Sequence, residues 1–122
     1  MTVQGVDHIN ISTTDLERCR DFYCGVLGLE EGWRPSFDSP GTWLYAGGEP
    51  IVHVSVTDTP RDGLSAVDHV AFAVQGFEAM KARLGEQGIA FETYDVPHTP
   101  TKQIFIEDPD GVSVELNFRD GT

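Results

Sequence analysis

Gly5-Val6-Asp7-His8-Ile9-Asn10-Ile11 is the stretch that decides the fold, because it returns as Ala66-Val67-Asp68-His69-Val70-Ala71-Phe72. The two histidines are 61 positions apart, and each is followed by a helical pattern. A strand-like run closes each half of the chain, with His53 in the run 51–56 and Glu115 in the run 112–118. An internal repeat of this kind predicts one structural module that is used twice.

The chain as a whole has the composition of an ordinary folded protein. It has 122 residues, of which 39% are hydrophobic and 23% are charged, and this predicts a single compact domain over 1–122. Eight Lys and Arg against twenty Asp and Glu give a net charge of −12, which disfavours nucleic-acid and anionic membrane partners. The chain shows neither an apolar run long enough to cross a bilayer nor a signal peptide, so we expect a cytoplasmic protein.

The periodicity of each half predicts the order βαβββ. Strand alternation over 5–12 places His8 on the polar face, and a helical spacing of apolar residues follows as far as Gly28. We place module 1 at about 5–57, a polar linker at 58–65 and module 2 at about 66–119, with a tight turn at 108–111 before the last strand. The fold class is therefore α+β, with tandem βαβββ modules and the helices on the outer faces of the sheet.

Four strand positions carry the side chains that point to chemistry: His8, His53, His69 and Glu115. Each lies on the face opposite the more apolar side of its strand. Imidazole and carboxylate together suit one divalent metal ion, with Fe, Mn, Ni, Co and Zn as the candidates. The alternative interpretation is that the histidines are hydrogen-bonded structural residues and Glu115 is a solvated charge.

The chain resembles the vicinal oxygen chelate superfamily, which includes glyoxalase I, extradiol dioxygenases and bleomycin resistance proteins. The resemblance is carried by the two Val-Asp-His segments, the helix 15–29, and the run Phe105-Ile106-Glu107-Asp108-Pro109-Asp110-Gly111 with Val114-Glu115-Leu116. It implies paired modules that form a U-shaped mixed sheet around a metal. His8, His69 and Glu115 match the family's ligand positions, and His53 matches the optional fourth. It also implies a small-molecule substrate and a homodimer in which modules can be swapped.

Three functions follow as hypotheses. The first is a metal-dependent enzyme that chelates adjacent oxygens of a small substrate and promotes isomerase- or lyase-type proton transfer, with His53 as fourth ligand or general base. The second is an extradiol ring-cleaving dioxygenase with a site of two histidines and one carboxylate for Fe(II). The third is a metal-free protein that sequesters a drug or another ligand, as bleomycin resistance proteins do.

Further residues are weaker candidates for the same site. His98 lies between Pro97 and Pro100 in a loop and is a candidate acid or base, although a solvated loop histidine is the commoner case. A substrate pocket is predicted to be lined by Trp33, Tyr45, Tyr94, Lys102, Phe105 and Arg119. Core packing is the alternative interpretation for the aromatic residues, and an exposed charge is the alternative for Lys102 and Arg119.

Overall fold

The computed structural model describes residues 1–59, 66–107 and 112–122. These residues form a mixed sheet of eight strands with two helices, which confirms the predicted α+β class. The strands are β1 Thr2–Thr13, β2 Glu30–Gly32, β3 Gly41–Ala46, β4 Glu49–Val56, β5 Val67–Gln75, β6 Glu92–Asp95, β7 Lys102–Glu107 and β8 Ser113–Phe118. The helices are α1 Leu16–Arg20, which continues as a π-helical segment Asp21–Val26, and α2 Phe77–Glu86.

The chain divides into two compact units, a first unit of His8–Asp68 and a second unit of Met1–Asp7 with His69–Thr122. In the first unit the strands follow the order β2-β3-β4-β1, and β1 pairs with β4 in parallel while the other pairs are antiparallel. Asn10 lies opposite His53 in the parallel pair, and Trp43 lies opposite His53 in the antiparallel pair. Paired residues point to the same side of a sheet, so these three side chains share one face.

The other face of the first unit carries its hydrophobic core. Ile11, Leu44, Val52 and Val54 are buried there, and side chains of the helical segment pack against them. The alternation of β1 and β4 therefore places apolar residues under the helix and the histidines on the opposite face.

The helical segment of the first unit departs from the predicted apolar stripe. Asp15 is the N-cap, and its carboxylate accepts a hydrogen bond of 3.1 Å from the backbone N–H of Arg18. The helix then widens into the π-helical segment, which rotates the residues that follow relative to a regular α-helix. As a result Phe22, Val26 and Leu27 are 50%, 70% and 58% exposed, although their spacing predicts that they face inward.

In the second unit the strands follow the order β5-β8-β7-β6, with β5 and β8 parallel and the other pairs antiparallel. One face of these strands packs against α2. The buried residues of this core are Val74, Phe77, Met80, Leu84, Ile104, Leu116 and Phe118. The helical spacing of Phe77, Met80 and Leu84 in the sequence predicts that these three side chains share the inward face of α2, and their burial confirms it.

Two predicted features lie outside the described residues: most of the linker 58–65 and the turn 108–111. The structure therefore describes the strands on either side of each of them. In the described parts of the chain, both helices are too short and too polar to span a bilayer.

Candidate metal centre

In the second unit, Glu115 and His69 lie on the face of the sheet opposite α2. Ala71 and Phe105 lie beside Glu115 on the neighbouring strands, and Ser113 lies beside His69. Glu115 is only 2% exposed, and His69 is also buried. A carboxylate buried to this degree needs a cation or strong hydrogen-bond donors around it.

The two side chains are in direct contact. Nε2 of His69 lies 3.1 Å from Oε1 of Glu115. The other oxygen of the carboxylate, Oε2, accepts a hydrogen bond of 3.2 Å from the side-chain amide of Gln103. The ring of Phe105 lies edge-on to His69, with the ring centroids 6.1 Å apart. These contacts fix the orientation of both candidate ligands.

In the first unit, three rings form a stack. The rings of His8 and His53 are nearly parallel, with their centroids 3.5 Å apart. On the other side of His53, the ring of Trp43 lies with its centroid 3.9 Å away. Both histidines are buried, and the ring of His53 is packed between the rings of Trp43 and His8.

The four predicted ligands are divided between the two units: His8 and His53 belong to the first unit, and His69 and Glu115 belong to the second. All four residues are buried. Two imidazoles and one carboxylate fit a divalent first-row metal, so His8, His69 and Glu115 have the donor chemistry that such an ion requires. His53, the predicted fourth ligand, contacts the ring of His8 within the first unit.

A hydrogen-bond network in the second unit joins Asp7 to two residues that follow Glu115 on the last strand and just beyond it, Asn117 and Arg119. Oδ2 of Asp7 accepts from the side-chain amide of Asn117 at 2.9 Å, and Oδ1 accepts from Nε of Arg119 at 2.9 Å. A second nitrogen of Arg119, Nη2, also contacts Asp7 Oδ1. Sequence reasoning missed the roles of Asp7, Asn117 and Gln103. The repeated Val-Asp-His context of Asp7 is the one signal that marked it.

The remaining predicted pocket residues of the first unit lie near the stacked rings. Trp33 is 62% exposed, and its ring meets Trp43 edge-on with a centroid separation of 6.1 Å. The hydroxyl of Tyr45 donates to the backbone carbonyl of Trp33. Burial, together with the charge of Glu49, raises the pKa of Tyr45 above its ordinary value, so this phenol stays neutral and keeps donating.

The predicted pocket residues of the second unit lie on different faces. Phe105 lies beside Glu115, and Tyr94 lies opposite Gln103 on the same side of the sheet, where it is partly exposed. Lys102 lies on the side of α2 instead, because its strand partner is Phe118. Its ammonium group binds Asp95 at 2.9 Å and lies 5.6 Å from the ring centroid of Phe77.

The last two candidates lie at exposed positions. His98 is exposed, in a turn, with φ of 61°. Arg119 is half-exposed, and its guanidinium group binds Asp7. Within the first unit the structure therefore places His53 against His8. Within the second unit it brings His69 and Glu115 together and places Arg119 in the Asp7 network.

Comparison with known proteins agrees with this architecture. Residues 5–116 match the Glyoxalase/Bleomycin resistance protein/Dioxygenase superfamily. The chain is 32% identical to the uncharacterized protein YaeR of Escherichia coli, over 91% of this chain and 93% of that protein. It is 31% identical to the metallothiol transferase FosB of Lysinibacillus sphaericus, over 100% of this chain and 86% of that protein.

Among solved structures, the 2,3-dioxygenase LapB of Pseudomonas sp. KL28 superimposes with a TM-score of 0.78 at 22% identity. The match covers 96% of this chain but 41% of LapB, so the likeness concerns the fold of a part of that enzyme. The matched family spans both Val-Asp-His segments and ends just after Glu115. This chain belongs to the Glyoxalase/Bleomycin resistance protein/Dioxygenase superfamily.

Proposed function

We propose that the protein is a metal-dependent enzyme in which His8, His69 and Glu115 hold one divalent metal ion. The proposal is supported by the buried contact between His69 and Glu115 in the second unit, whose Nε2 and Oε1 atoms lie 3.1 Å apart, and by the buried pair of His8 and His53 in the first unit. Two neutral imidazoles and one carboxylate suit Fe, Mn, Co, Ni or Zn, and they leave coordination positions for a substrate. Two adjacent oxygens of a small molecule are the group that would occupy such positions.

The bound metal would act as a Lewis acid that polarises the substrate oxygens and acidifies a neighbouring C–H bond. The protein has to supply a group that moves the proton. His53 is the candidate for this role, because its ring stacks directly on His8 and it is not one of the three proposed ligands. Imidazole is the side chain best suited to give and take a proton near neutral pH.

Proton transfer of this kind defines an isomerase or lyase reaction, which is the function we favour. Trp43 supports it, because its ring covers the side of His53 that faces away from His8. A base that is packed between two rings keeps one orientation. Fixed orientation of the reacting groups accounts for a large part of the rate acceleration by enzymes.

A ring-cleaving dioxygenase is the second candidate function. It is favoured by the number and type of ligands, since two histidines and one carboxylate with open positions are typical of non-haem Fe(II) oxygenases. The superposition on a 2,3-dioxygenase supports this alternative at the level of the fold alone.

The two reactions are separated by activity measurements on protein loaded with Fe²⁺, Co²⁺, Ni²⁺, Mn²⁺ or Zn²⁺. Isomerase or lyase activity is measured with α-keto hemithioacetals, and dioxygenase activity is measured as oxygen uptake with catechols. We expect turnover without oxygen uptake, and its loss in His53→Ala with the metal retained. Oxygen uptake that persists in His53→Ala would favour the dioxygenase instead.

A protein that binds none of the five metals would contradict both enzyme proposals. The ligand-sequestering function would then be the remaining hypothesis. We also expect a homodimer, which light scattering after size-exclusion chromatography measures.

A further inference from the structure

Gln103 is a residue for which neither the sequence patterns nor the family resemblance suggested a role. It lies on β7, next to the strand that carries Glu115, and its side chain is half-buried on the same face. Its amide nitrogen donates to Oε2 of Glu115 at 3.2 Å. The other oxygen, Oε1, is the one that lies 3.1 Å from Nε2 of His69. The two oxygens of Glu115 therefore have different partners.

The distance between His69 and Glu115 is itself informative. Bonds from a first-row metal to histidine nitrogen and carboxylate oxygen are about 2.1 Å long, so two neighbouring ligands at a right angle stand about 3 Å apart. The observed 3.1 Å matches that spacing. An ordinary N–H···O hydrogen bond has the same length. The two atoms are therefore spaced as a hydrogen-bonded pair, and the same spacing would let them bind one metal as adjacent ligands.

Oε2 is turned toward Gln103 in this arrangement. For the carboxylate to bind a metal through both oxygens, Oε2 would have to leave the amide, and a half-buried amide would lose its acceptor. Such a loss is unfavourable, because the amide would exchange a charged acceptor for water. Hydrogen-bond partners of metal ligands commonly set ligand orientation in this way.

We infer that Gln103 is a positioning residue that holds Glu115 in monodentate coordination through Oε1. This inference rests on the proposed metal site. With Glu115 bound through one oxygen, His8, His69 and Glu115 would leave coordination positions of the metal open for a substrate and water. Without the Gln103 amide, Oε2 would take one more position and narrow the room for a chelating substrate.

The test compares the wild type with Gln103→Met, which keeps the length of the side chain but removes the donor. Gln75→Ala is the matched control, because Gln75 is an exposed glutamine of the same unit. Co²⁺ is the probe. Its affinity is measured by competition with a fluorescent chelator, and the carboxylate stretching bands are measured by infrared difference spectroscopy between loaded and metal-free protein.

We expect Gln103→Met to weaken Co²⁺ binding by about 10- to 100-fold. The separation between the antisymmetric and symmetric carboxylate bands should also narrow, as it does when a carboxylate becomes bidentate. Gln75→Ala should match the wild type in both measurements. If Gln103→Met does not fold, Gln103→Leu takes its place, with folding checked by circular dichroism.

Two results would overturn the inference while the metal site stands. One is wild-type affinity in Gln103→Met, and the other is weaker binding with unchanged carboxylate bands. A wild type that binds no Co²⁺ would overturn both this inference and the proposed function, so the two failures are distinguishable.

Discussion

The substitution Asp7→Ala tests the hydrogen-bond network of Asp7, the residue directly before the candidate ligand His8. The side chain of Asp7 is 5% exposed. Its carboxylate accepts 2.9 Å hydrogen bonds from Asn117 and from Nε of Arg119. Alanine removes both acceptors and the negative charge, so we expect a clear loss of stability.

The size of the expected loss of stability depends on how exposed each hydrogen-bond donor is. The amide of Asn117 is buried and would lose its acceptor, which costs about 1–3 kcal/mol. The side chain of Arg119 is 52% exposed and can be solvated again, so its share is about 0.5–1 kcal/mol. Together the loss is about 1.5–4 kcal/mol, which for a domain of this size corresponds to a fall in Tm of about 5–20 °C.

Asp7→Asn should cost less, about 1 kcal/mol. The reason is that Oδ1 of Asn117 is buried and makes no hydrogen bond within the described residues. The amide of Asn117 can rotate to accept from the new asparagine, while the asparagine oxygen still accepts from Arg119.

Urea unfolding at pH 7, followed by circular dichroism, measures both differences. The matched control is Asp38→Ala, which removes an exposed carboxylate and should change stability by less than about 0.5 kcal/mol. An Asp7→Ala variant as stable as this control would refute the reasoning, and so would an Asp7→Asn variant that loses as much as Asp7→Ala.

Three further predictions concern the rest of the chain. Thr42→Val should cost about 1 kcal/mol at pH 7, because Oγ1 of Thr42 donates at 2.7 Å to Glu31, which is partly exposed. This hydrogen bond holds the pKa of Glu31 below its ordinary value. The difference in stability between variant and wild type, measured by urea unfolding, should therefore persist at neutral pH and disappear as the pH falls through the lowered pKa of the native state. A difference that grows on acidification would contradict this. Burial raises the pKa of the Cys24 thiol, so less of it is thiolate at pH 8. Iodoacetamide should therefore modify Cys24 more slowly than it modifies a cysteine peptide, as measured by mass spectrometry. Equal rates of modification would contradict this prediction. Phe118→Ala should lower the free energy of unfolding, measured by heat or urea, by about 3–5 kcal/mol. The reason is that the ring of Phe118 is buried and packs edge-on against Phe77, with the ring centroids 5.3 Å apart. A loss below about 1 kcal/mol would contradict this and show that the core closes around the missing ring.

The faces of the strands could be predicted because alternation is a property of the backbone. In β8 every second residue from Val114 to Phe118 packs toward α2, so Glu115 and Asn117 must point the other way. The repeat then assigned His69 to the same face as Glu115. Strand-level patterns in the sequence were sufficient for these conclusions.

Contacts between side chains on neighbouring strands could not be predicted from the sequence. The bond from Gln103 to Glu115 and the stack of Trp43 on His53 depend on strand register, which a single sequence does not specify. The exposure of Val26 has a different cause. A π-helical turn changes which residues face inward, and no local signal distinguishes it from the α-helix that the spacing predicts.

The metal content of the purified protein tests the central claim most directly. The protein is prepared without chelators and analysed by inductively coupled plasma mass spectrometry, beside Glu115→Ala and the matched control Glu92→Ala, which removes an exposed carboxylate of the same unit. We predict one divalent ion per chain in the wild type and in Glu92→Ala, and its loss in Glu115→Ala. A wild type that holds no metal after loading, or a Glu115→Ala variant that retains it with the affinity of the wild type, would contradict the account.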